Sequence, residues 1–142
     1  ISILGQGGYG CVFEAEFKLI KRRYAVKRIP LKRETDVGNA LREVMALDSF
    51  EHPGIVRYNS SWLEKPPPFW QRSSDEKILV ALNYEGSFDY KDDCTFLYIQ
   101  MQLCKSTLAD WLSANDQRDP GRMKSWFKQT VCAVQYIHKQ NT

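Results

Sequence analysis

The chain lacks any apolar run long enough to cross a membrane. Its longest apolar runs, at residues 78–82 and 96–99, are much shorter than the roughly 20 residues that a membrane-spanning helix needs. The sequence also shows no signal peptide and no lipid anchor. We therefore expect no membrane segment in these 142 residues, and a cytoplasmic location.

Histidine and cysteine are both scarce. The four cysteines show no C-x-x-C spacing and the two histidines are far apart, so neither a zinc site nor a disulfide framework is indicated. The sequence thus predicts no metal site and reduced thiols, as is usual in the cytosol. The cysteines are Cys11, Cys94, Cys104 and Cys132.

A strong excess of charge of one sign is also missing, since the formal net charge is only +3. The basic residues do cluster in one predicted hairpin region, but no aromatic stacking platform is interleaved with them. We therefore interpret the cluster as a solvated hairpin face and expect no nucleic-acid partner. Its members are Lys18, Lys21, Arg22, Arg23, Lys27, Arg28, Lys32 and Arg33.

What is present is ordinary globular composition, with 43% hydrophobic and 26% charged residues. Short segments rich in β-branched and aromatic residues predict five strands, at residues 2–4, 12–16, 24–29, 55–63 and 95–102. Residues 65–93 resemble an inserted loop because they begin with three prolines and end in an acidic stretch. An extra strand at residues 78–82 is possible within that insert.

Helical periodicity appears in three places. Apolar residues at three- and four-residue steps predict a helix over residues 34–50, and a second stripe predicts one over residues 123–137. Between them, Thr107 and Asp110 fit the spacing of a helix start and predict a short helix through Ala114.

The most informative motif is a glycine-rich loop. Residues 5–10 read G-x-G-x-x-G, and such glycines let backbone N–H groups approach phosphate oxygens closely. The same string serves dinucleotide-binding folds, where it joins a strand to a helix and an acidic residue follows about 20 residues later. Here a strand pattern follows the loop and the acid is absent, so we interpret it as a hairpin lid, although a glycine-rich turn without a ligand is an alternative.

A lysine and a glutamate extend this hypothesis. Lys27 and Ala25 alternate along one strand and share a face, while Tyr24 and Val26 share the other. Ala25 is small enough to lie against an adenine, and a half-buried Lys27 needs an anionic partner such as phosphate or a carboxylate. Glu43, on the predicted helix beside Ala40, could supply that carboxylate, although a solvated helix acid is the alternative.

Together these residues resemble the N-terminal lobe of protein kinases. The order of the glycine loop, the Ala25-x-Lys27 strand, the Glu43 helix and the turn at residues 52–56 is that of the kinase family. Residues 52–58, 61–64 and 97–104 further resemble the kinases that phosphorylate the alpha subunit of translation initiation factor two, in particular their endoplasmic-reticulum branch. That family carries a long insert between its fourth and fifth strands, where residues 65–93 lie, although the insert here is shorter than expected.

The resemblance implies an α+β fold. It would consist of a kinase N-terminal lobe (a five-stranded antiparallel sheet with one regulatory helix), the hinge and the first two helices of the C-terminal lobe. It implies that residues 1–104 form the lobe and hinge with the insert at 65–93, and that residues 105–142 begin the C-terminal lobe.

The resemblance also implies site residues and partners. Lys27 and Glu43 would be catalytic, and Met101 would be the gatekeeper before the hinge, although a plain core methionine is an alternative. Expected partners are ATP with magnesium, a protein substrate, and a second copy in a homodimer that involves Tyr24. The resemblance also implies that the full-length protein would act at the cytosolic face of the endoplasmic reticulum. The implied ATP-binding set is Leu4, Gly5, Gln6, Gly7, Gly8, Tyr9, Gly10, Cys11, Val12, Ala25, Lys27, Met101, Gln102 and Cys104.

Two motifs of the kinase mechanism are not found in these residues. The H-R-D-x-x-x-x-N loop and the D-F-G aspartate are absent, so we expect the catalytic aspartate and the magnesium ligands to lie outside this chain. Three hypotheses remain open: part of an active serine/threonine kinase, a pseudokinase-type binding module, and a dinucleotide-dependent oxidoreductase. The third is disfavoured by the strands that flank the loop.

Overall fold

The computed structural model describes residues 2–7, 10–31, 34–67, 73, 75–77, 80 and 94–140. Within these residues the structure has five strands: β1 Ser2–Gly7, β2 Gly10–Phe17, β3 Arg22–Leu31, β4 Tyr58–Glu64 and β5 Thr95–Gln102. Three helices of seven or more residues accompany them: α1 Glu34–Ser49, α2 Leu108–Ala114 and α3 Pro120–Gln140. The predicted five-stranded antiparallel sheet with one helix before β4 is confirmed.

The strands form one sheet in the order β1-β2-β3-β5-β4, and every neighbouring pair is antiparallel. β1 and β2 are longer than predicted, because pairing between them continues to Gly7 and Gly10 at the turn. β4 begins at Tyr58 rather than at residue 55. The N–H of Ile55 donates to the carbonyl of His52 at 3.0 Å, so the chain is still turning there.

One face of the sheet packs against α1. The buried residues Ala40, Leu97 and Ile99 form the centre of this core, and Val44 and Leu47 of α1 contact it. The apolar face predicted for α1 is wider than the face that is buried, since Val37 and Leu41 are 36% and 52% exposed. Among the α1 residues whose burial is described, Ala40 is the buried one, and it packs with Leu97 and Ile99 of β5.

The opposite face of the sheet is also covered, and this was not predicted. Arg28 was assigned to a solvated basic face, yet it is 4% exposed. Its Nη2 lies 2.7 Å from Oδ1 of Asp75, which belongs to the insert and is 6% exposed. Pro66, at the start of the insert, is buried as well.

The suggestion of an extra strand at residues 78–82 is wrong at Val80, which is helical. Residues 73 and 75–77 are helical as well. The other positions of that segment lie outside the described residues. Asp75, in one of these helical positions, contacts the sheet through Arg28.

The predicted start of α2 is confirmed. The Thr107 hydroxyl accepts from the N–H of Asp110 at 3.1 Å, and the Asp110 carboxylate accepts from the N–H of Thr107 at 3.0 Å. The Thr107 hydroxyl also donates to the Asp110 carboxylate at 2.7 Å, and this hydrogen bond, followed by the one from the Thr107 N–H, lowers the pKa of the Asp110 carboxyl.

α3 contacts the turn between α1 and β4. The N–H of Glu51 donates to the Tyr136 hydroxyl at 3.0 Å, and the rings of His52 and Tyr136 lie 5.1 Å apart. A Cβ at Gly54 would lie 3.0 Å from Cβ of Ala133, so the turn and the helix approach closely there. His52 therefore has a structural role in this turn.

Candidate active site

The strand register collects four of the predicted nucleotide-binding side chains on one face. Val12 pairs with Lys27, and Lys27 pairs with Ile99. Two residues away, Ala25 pairs with Met101. Because directly paired residues share a face and the face repeats every second residue, these five side chains lie on the α1 side of the sheet.

Lys27 and Glu43 form the ion pair that the sequence suggested. Lys27 Nζ lies 2.5 Å from Oε1 of Glu43, which α1 places over β3. The side chains are 22% and 38% exposed, so water screens the pair, and its net contribution to stability should be below about 1 kcal/mol. Its effect is to hold the ammonium group in one position above Ala25 and Val12.

The glycine-rich segment is the β1–β2 hairpin. Gly5 pairs with Val12, and Gly7 pairs with Gly10. Gly10 has a φ of 133°, and a Cβ there would lie 2.0 Å from the carbonyl oxygen of Arg28. The fold itself thus requires glycine at position 10, apart from any phosphate.

Several other members of the predicted ATP-binding set are less informative. Leu4 lies in β1 and is 48% exposed. Gln6 lies in the same strand, and its backbone pairs with Cys11. Gly8 and Tyr9 lie outside the described residues.

Cys11 is not brought to the Lys27 face. It pairs with Arg28 on the opposite face and is 1% exposed. Burial raises the pKa of its thiol, while the nearby Arg28 guanidinium lowers it and Asp75 raises it to smaller extents. Only the backbone of Cys11 could contribute to a site on the Lys27 face.

The predicted gatekeeper and hinge follow β5. Met101 is half-buried and packs against the core formed with α1. The N–H of Gln102 donates to the carbonyl of Arg57 at 2.9 Å, so this N–H is already engaged within the protein. Cys104 is exposed just beyond the strand.

The sequence analysis did not identify the residues that support this site from the opposite face of the sheet. The Arg28–Asp75 pair anchors β3 one residue after Lys27, and the Arg28 guanidinium lies 4.8 Å from the centre of the Phe96 ring. The only signal in the sequence was the strand alternation that places Arg28 on the same face as Val26, opposite Lys27.

The described part of the chain contains no group of three or more histidine, cysteine, aspartate or glutamate side chains that could hold a metal ion. We therefore assign no magnesium ligand there. Within the same residues, no helix is both long enough and apolar enough to span a membrane.

A five-stranded antiparallel sheet with a glycine-rich hairpin and a lysine–glutamate pair across to one helix is the N-terminal lobe of a protein kinase. The sequence matches the model of the protein kinase domain over residues 1–142. The chain therefore belongs to the protein kinase domain family, whose members in general use ATP and magnesium.

Within this family the chain is similar to kinases of translation initiation factor two. It is 52% identical over 77 residues, or 54% of the chain, to eukaryotic translation initiation factor 2-alpha kinase 3 of Rattus norvegicus. It is 34% identical over 143 aligned residues, or 99% of the chain, to the interferon-induced, double-stranded RNA-activated protein kinase of Rattus norvegicus. The predicted resemblance to this group, and to PERK (kinase 3) in particular, is confirmed.

A plant relative extends the similarity. The eIF-2-alpha kinase GCN2 of Arabidopsis thaliana is 33% identical over 150 aligned residues, or 96% of the chain. The chain spans 7%, 25% and 12% of the lengths of these three kinases, in the order given.

Proposed function

We propose that the face of the sheet that carries Lys27 binds ATP, and that the intact protein containing this chain is a serine/threonine kinase. The single observation that carries the proposal is the 2.5 Å contact between Lys27 and Glu43, on the same face as Ala25 and Val12 and beside a glycine-rich hairpin. A small side chain, a flat apolar surface and a fixed cation together suit an adenine joined to phosphates.

Each residue has a distinct task in this proposal. The Lys27 ammonium group balances phosphate charge, and Glu43 keeps it in position so that little reorganisation is needed during transfer. Val12, Ala25 and Met101 enclose the adenine. Because the Gln102 N–H is donated to Arg57, Gln102 offers the adenine its carbonyl, and Cys104 offers its backbone beyond the strand.

ATP supplies the phosphoryl group and its bound magnesium neutralises charge on the phosphates. The residues of this chain bind and orient the nucleotide. Their contribution is therefore positional and electrostatic, which is the main source of catalysis in phosphoryl transfer.

We further propose the alpha subunit of translation initiation factor two as the protein substrate, and a role in stress-induced control of translation. The similarity to kinases named for that subunit supports both proposals. By the same resemblance the intact protein would act on the cytosolic face of the endoplasmic reticulum in the unfolded protein response, as a homodimer through the N-terminal lobe. The proposed division is residues 1–104 for lobe and hinge, with the insert at 65–93, and 105–142 for the start of the next lobe.

No observation favours the pseudokinase alternative, since Lys27 and Glu43 are both present and paired. A dinucleotide-dependent oxidoreductase is contradicted by β2, which follows the glycine-rich segment where that fold needs a helix.

The proposal is tested by Lys27→Ala in the intact protein, assayed for transfer of phosphate from ATP to the purified alpha subunit of initiation factor two. We expect activity to fall by at least about 100-fold while the fold is retained, because a misplaced charge alone costs that much. Lys124→Ala, which removes an exposed lysine from α3, is the matched control. Near-normal transfer by Lys27→Ala would disprove the assignment.

A further inference from the structure

The turn between β2 and β3 carries an exposed apolar cluster. We define the hairpin tip as residues 17–23. Leu19 is 84% exposed, Ile20 56% and Phe17 51%, and Lys21 adopts a left-handed φ of 52° within the turn. Single exposed apolar side chains are ordinary, but three large ones within four residues of a projecting turn form a patch that costs free energy in water.

Basic side chains flank this apolar cluster. Lys18, Lys21, Arg22 and Arg23 all lie within the hairpin tip. The two acids at its base are each engaged: Glu14 Oε1 lies 2.7 Å from Arg23 Nη1, and Glu16 Oε1 lies 3.6 Å from Lys21 Nζ.

Two of the basic residues remain available for an outside partner. In the described part of the chain, Lys18 and Arg22 form no ion pair with an acidic side chain. The Arg22 guanidinium lies 5.5 Å from the centre of the Tyr24 ring, which leaves its charge uncompensated. The tip is therefore apolar at its apex and cationic around it.

We propose that the hairpin tip inserts into the surface of an anionic membrane. Large apolar side chains that enter the interface, together with lysine and arginine side chains that meet acidic head groups, are what peripheral binding to such a surface requires. The apolar side chains are those of Leu19, Ile20 and Phe17, and the basic side chains are those of Lys18 and Arg22.

The shape of the tip favours a lipid surface over a folded protein. A stable protein interface buries about 800 Å² on each partner and needs a complementary surface. A two-stranded turn is narrow and convex, so a protein would need a deep groove to cover it. A fluid bilayer closes around a projecting loop without a preformed groove.

The tip is also separate from the nucleotide site. Lys27 lies five residues along β3 from Arg22, which is roughly 17 Å of extended strand. Membrane binding therefore leaves the Lys27 face open.

A comparison within the chain shows what sets the tip apart. α1 also exposes large apolar side chains, with Met45 70% and Leu41 52% exposed. The charges of that helix are mixed, since Arg42 lies beside Glu43 and Asp48 follows about one and a half turns later. The hairpin tip instead combines exposed apolar groups with uncompensated positive charge, concentrated in one projecting turn. The helix α3 also carries an exposed Phe127 between Lys124 and Lys128, but spread along a helix face, so α1 and α3 supply the matched controls.

The test is sedimentation of the purified 142-residue chain with phosphatidylcholine vesicles that contain about one-third phosphatidylserine. We expect binding to these vesicles and weak binding to pure phosphatidylcholine. Leu19→Ser combined with Ile20→Ser should lower the affinity at least about tenfold. Lys18→Gln combined with Arg22→Gln should lower it by a similar factor and reduce its dependence on salt.

The controls make the same chemical changes elsewhere. Met45→Ser removes an exposed apolar side chain from α1, and Lys124→Gln with Lys128→Gln removes two exposed charges from α3; both should bind as the parent chain does. Circular dichroism of every variant verifies the fold.

Three results would overturn the proposal. The first is failure of the parent chain to bind anionic vesicles. The second is an equal loss of binding by Met45→Ser, which would show that any exposed apolar group suffices. The third is a loss of self-association in analytical ultracentrifugation by the Leu19 and Ile20 variant with vesicle binding unchanged, which would make the tip a contact between copies of this chain.

Discussion

Arg28 and Asp75, 47 residues apart in the sequence, form a buried ion pair with 2.7 Å between Nη2 and Oδ1. Their side chains are 5% and 9% exposed. Arg28 is the residue after Lys27 on β3, but its side chain points to the other face of the sheet. The insert between β4 and β5 is therefore tied to the strand that carries the proposed catalytic lysine.

The first prediction concerns this pair. Asp75→Asn should lower the free energy of unfolding by about 3 kcal/mol or more, because it removes the carboxylate charge that lies 2.7 Å from the buried Arg28 guanidinium. Urea denaturation followed by circular dichroism measures the change. Glu76→Gln is the matched control, since Glu76 is the exposed neighbour, and its effect should stay within about 0.5 kcal/mol. Similar losses for both variants would contradict the prediction.

The second prediction tests whether the Glu43 carboxylate positions Lys27. In the intact protein, Glu43→Gln should reduce kcat/KM for ATP by about 10-fold to 100-fold, because Lys27 loses the charge that positions it. Stability should change by less than about 1 kcal/mol, since the pair is partly exposed. Asp48→Asn, on the same helix and exposed, should leave the kinetics unchanged. Unaltered kinetics in Glu43→Gln would show that Lys27 is positioned by something else.

The third prediction tests the proposed dimer. Tyr24 lies on the sheet face opposite Lys27, so Tyr24→Ala should weaken self-association at least about tenfold while ATP affinity is retained. Sedimentation velocity and nucleotide titration of the intact protein measure the two quantities. Trp62→Ala removes an exposed aromatic side chain from the edge strand β4 and serves as the control. Parallel losses of ATP binding and self-association would argue against a separate dimer surface.

The fourth prediction concerns the thiols. Cys104 and Cys132 are exposed, whereas Cys11 and Cys94 are buried. Burial raises the pKa of the Cys11 thiol, so at neutral pH it stays protonated and unreactive. Iodoacetamide should modify Cys104 and Cys132 at least about tenfold faster than the buried pair, as mass spectrometry of tryptic peptides would show.

For that labelling experiment, denaturation in urea is the internal control, since it should equalise the four rates. Rapid modification of Cys11 in the folded chain would mean that the sheet face opposite Lys27, which carries Cys11 and Arg28, opens readily.

Local sequence determined the elements of this fold because the patterns behind them act over a few residues. Strand alternation located β5 with both of its ends correct, and Thr107 with Asp110 located the start of α2. The Lys27–Glu43 pair was also accessible, since a lysine on a half-buried strand needs an anionic partner and Glu43 borders the face of the predicted helix that packs on the sheet. The family resemblance followed from the order of these motifs along the chain.

Tertiary structure decided which faces of those elements are covered. Strand periodicity places Arg28 and Cys11 opposite Lys27 and Val12, but it does not reveal that a segment 47 residues away buries them. Likewise, the spacing of Val37 and Leu41 predicted a core face, whereas the crossing of α1 over β3 and β5 leaves both exposed. The side-chain period is a property of the backbone, while burial depends on contacts between residues distant in sequence, so only the assembled sheet, helix and insert determine it.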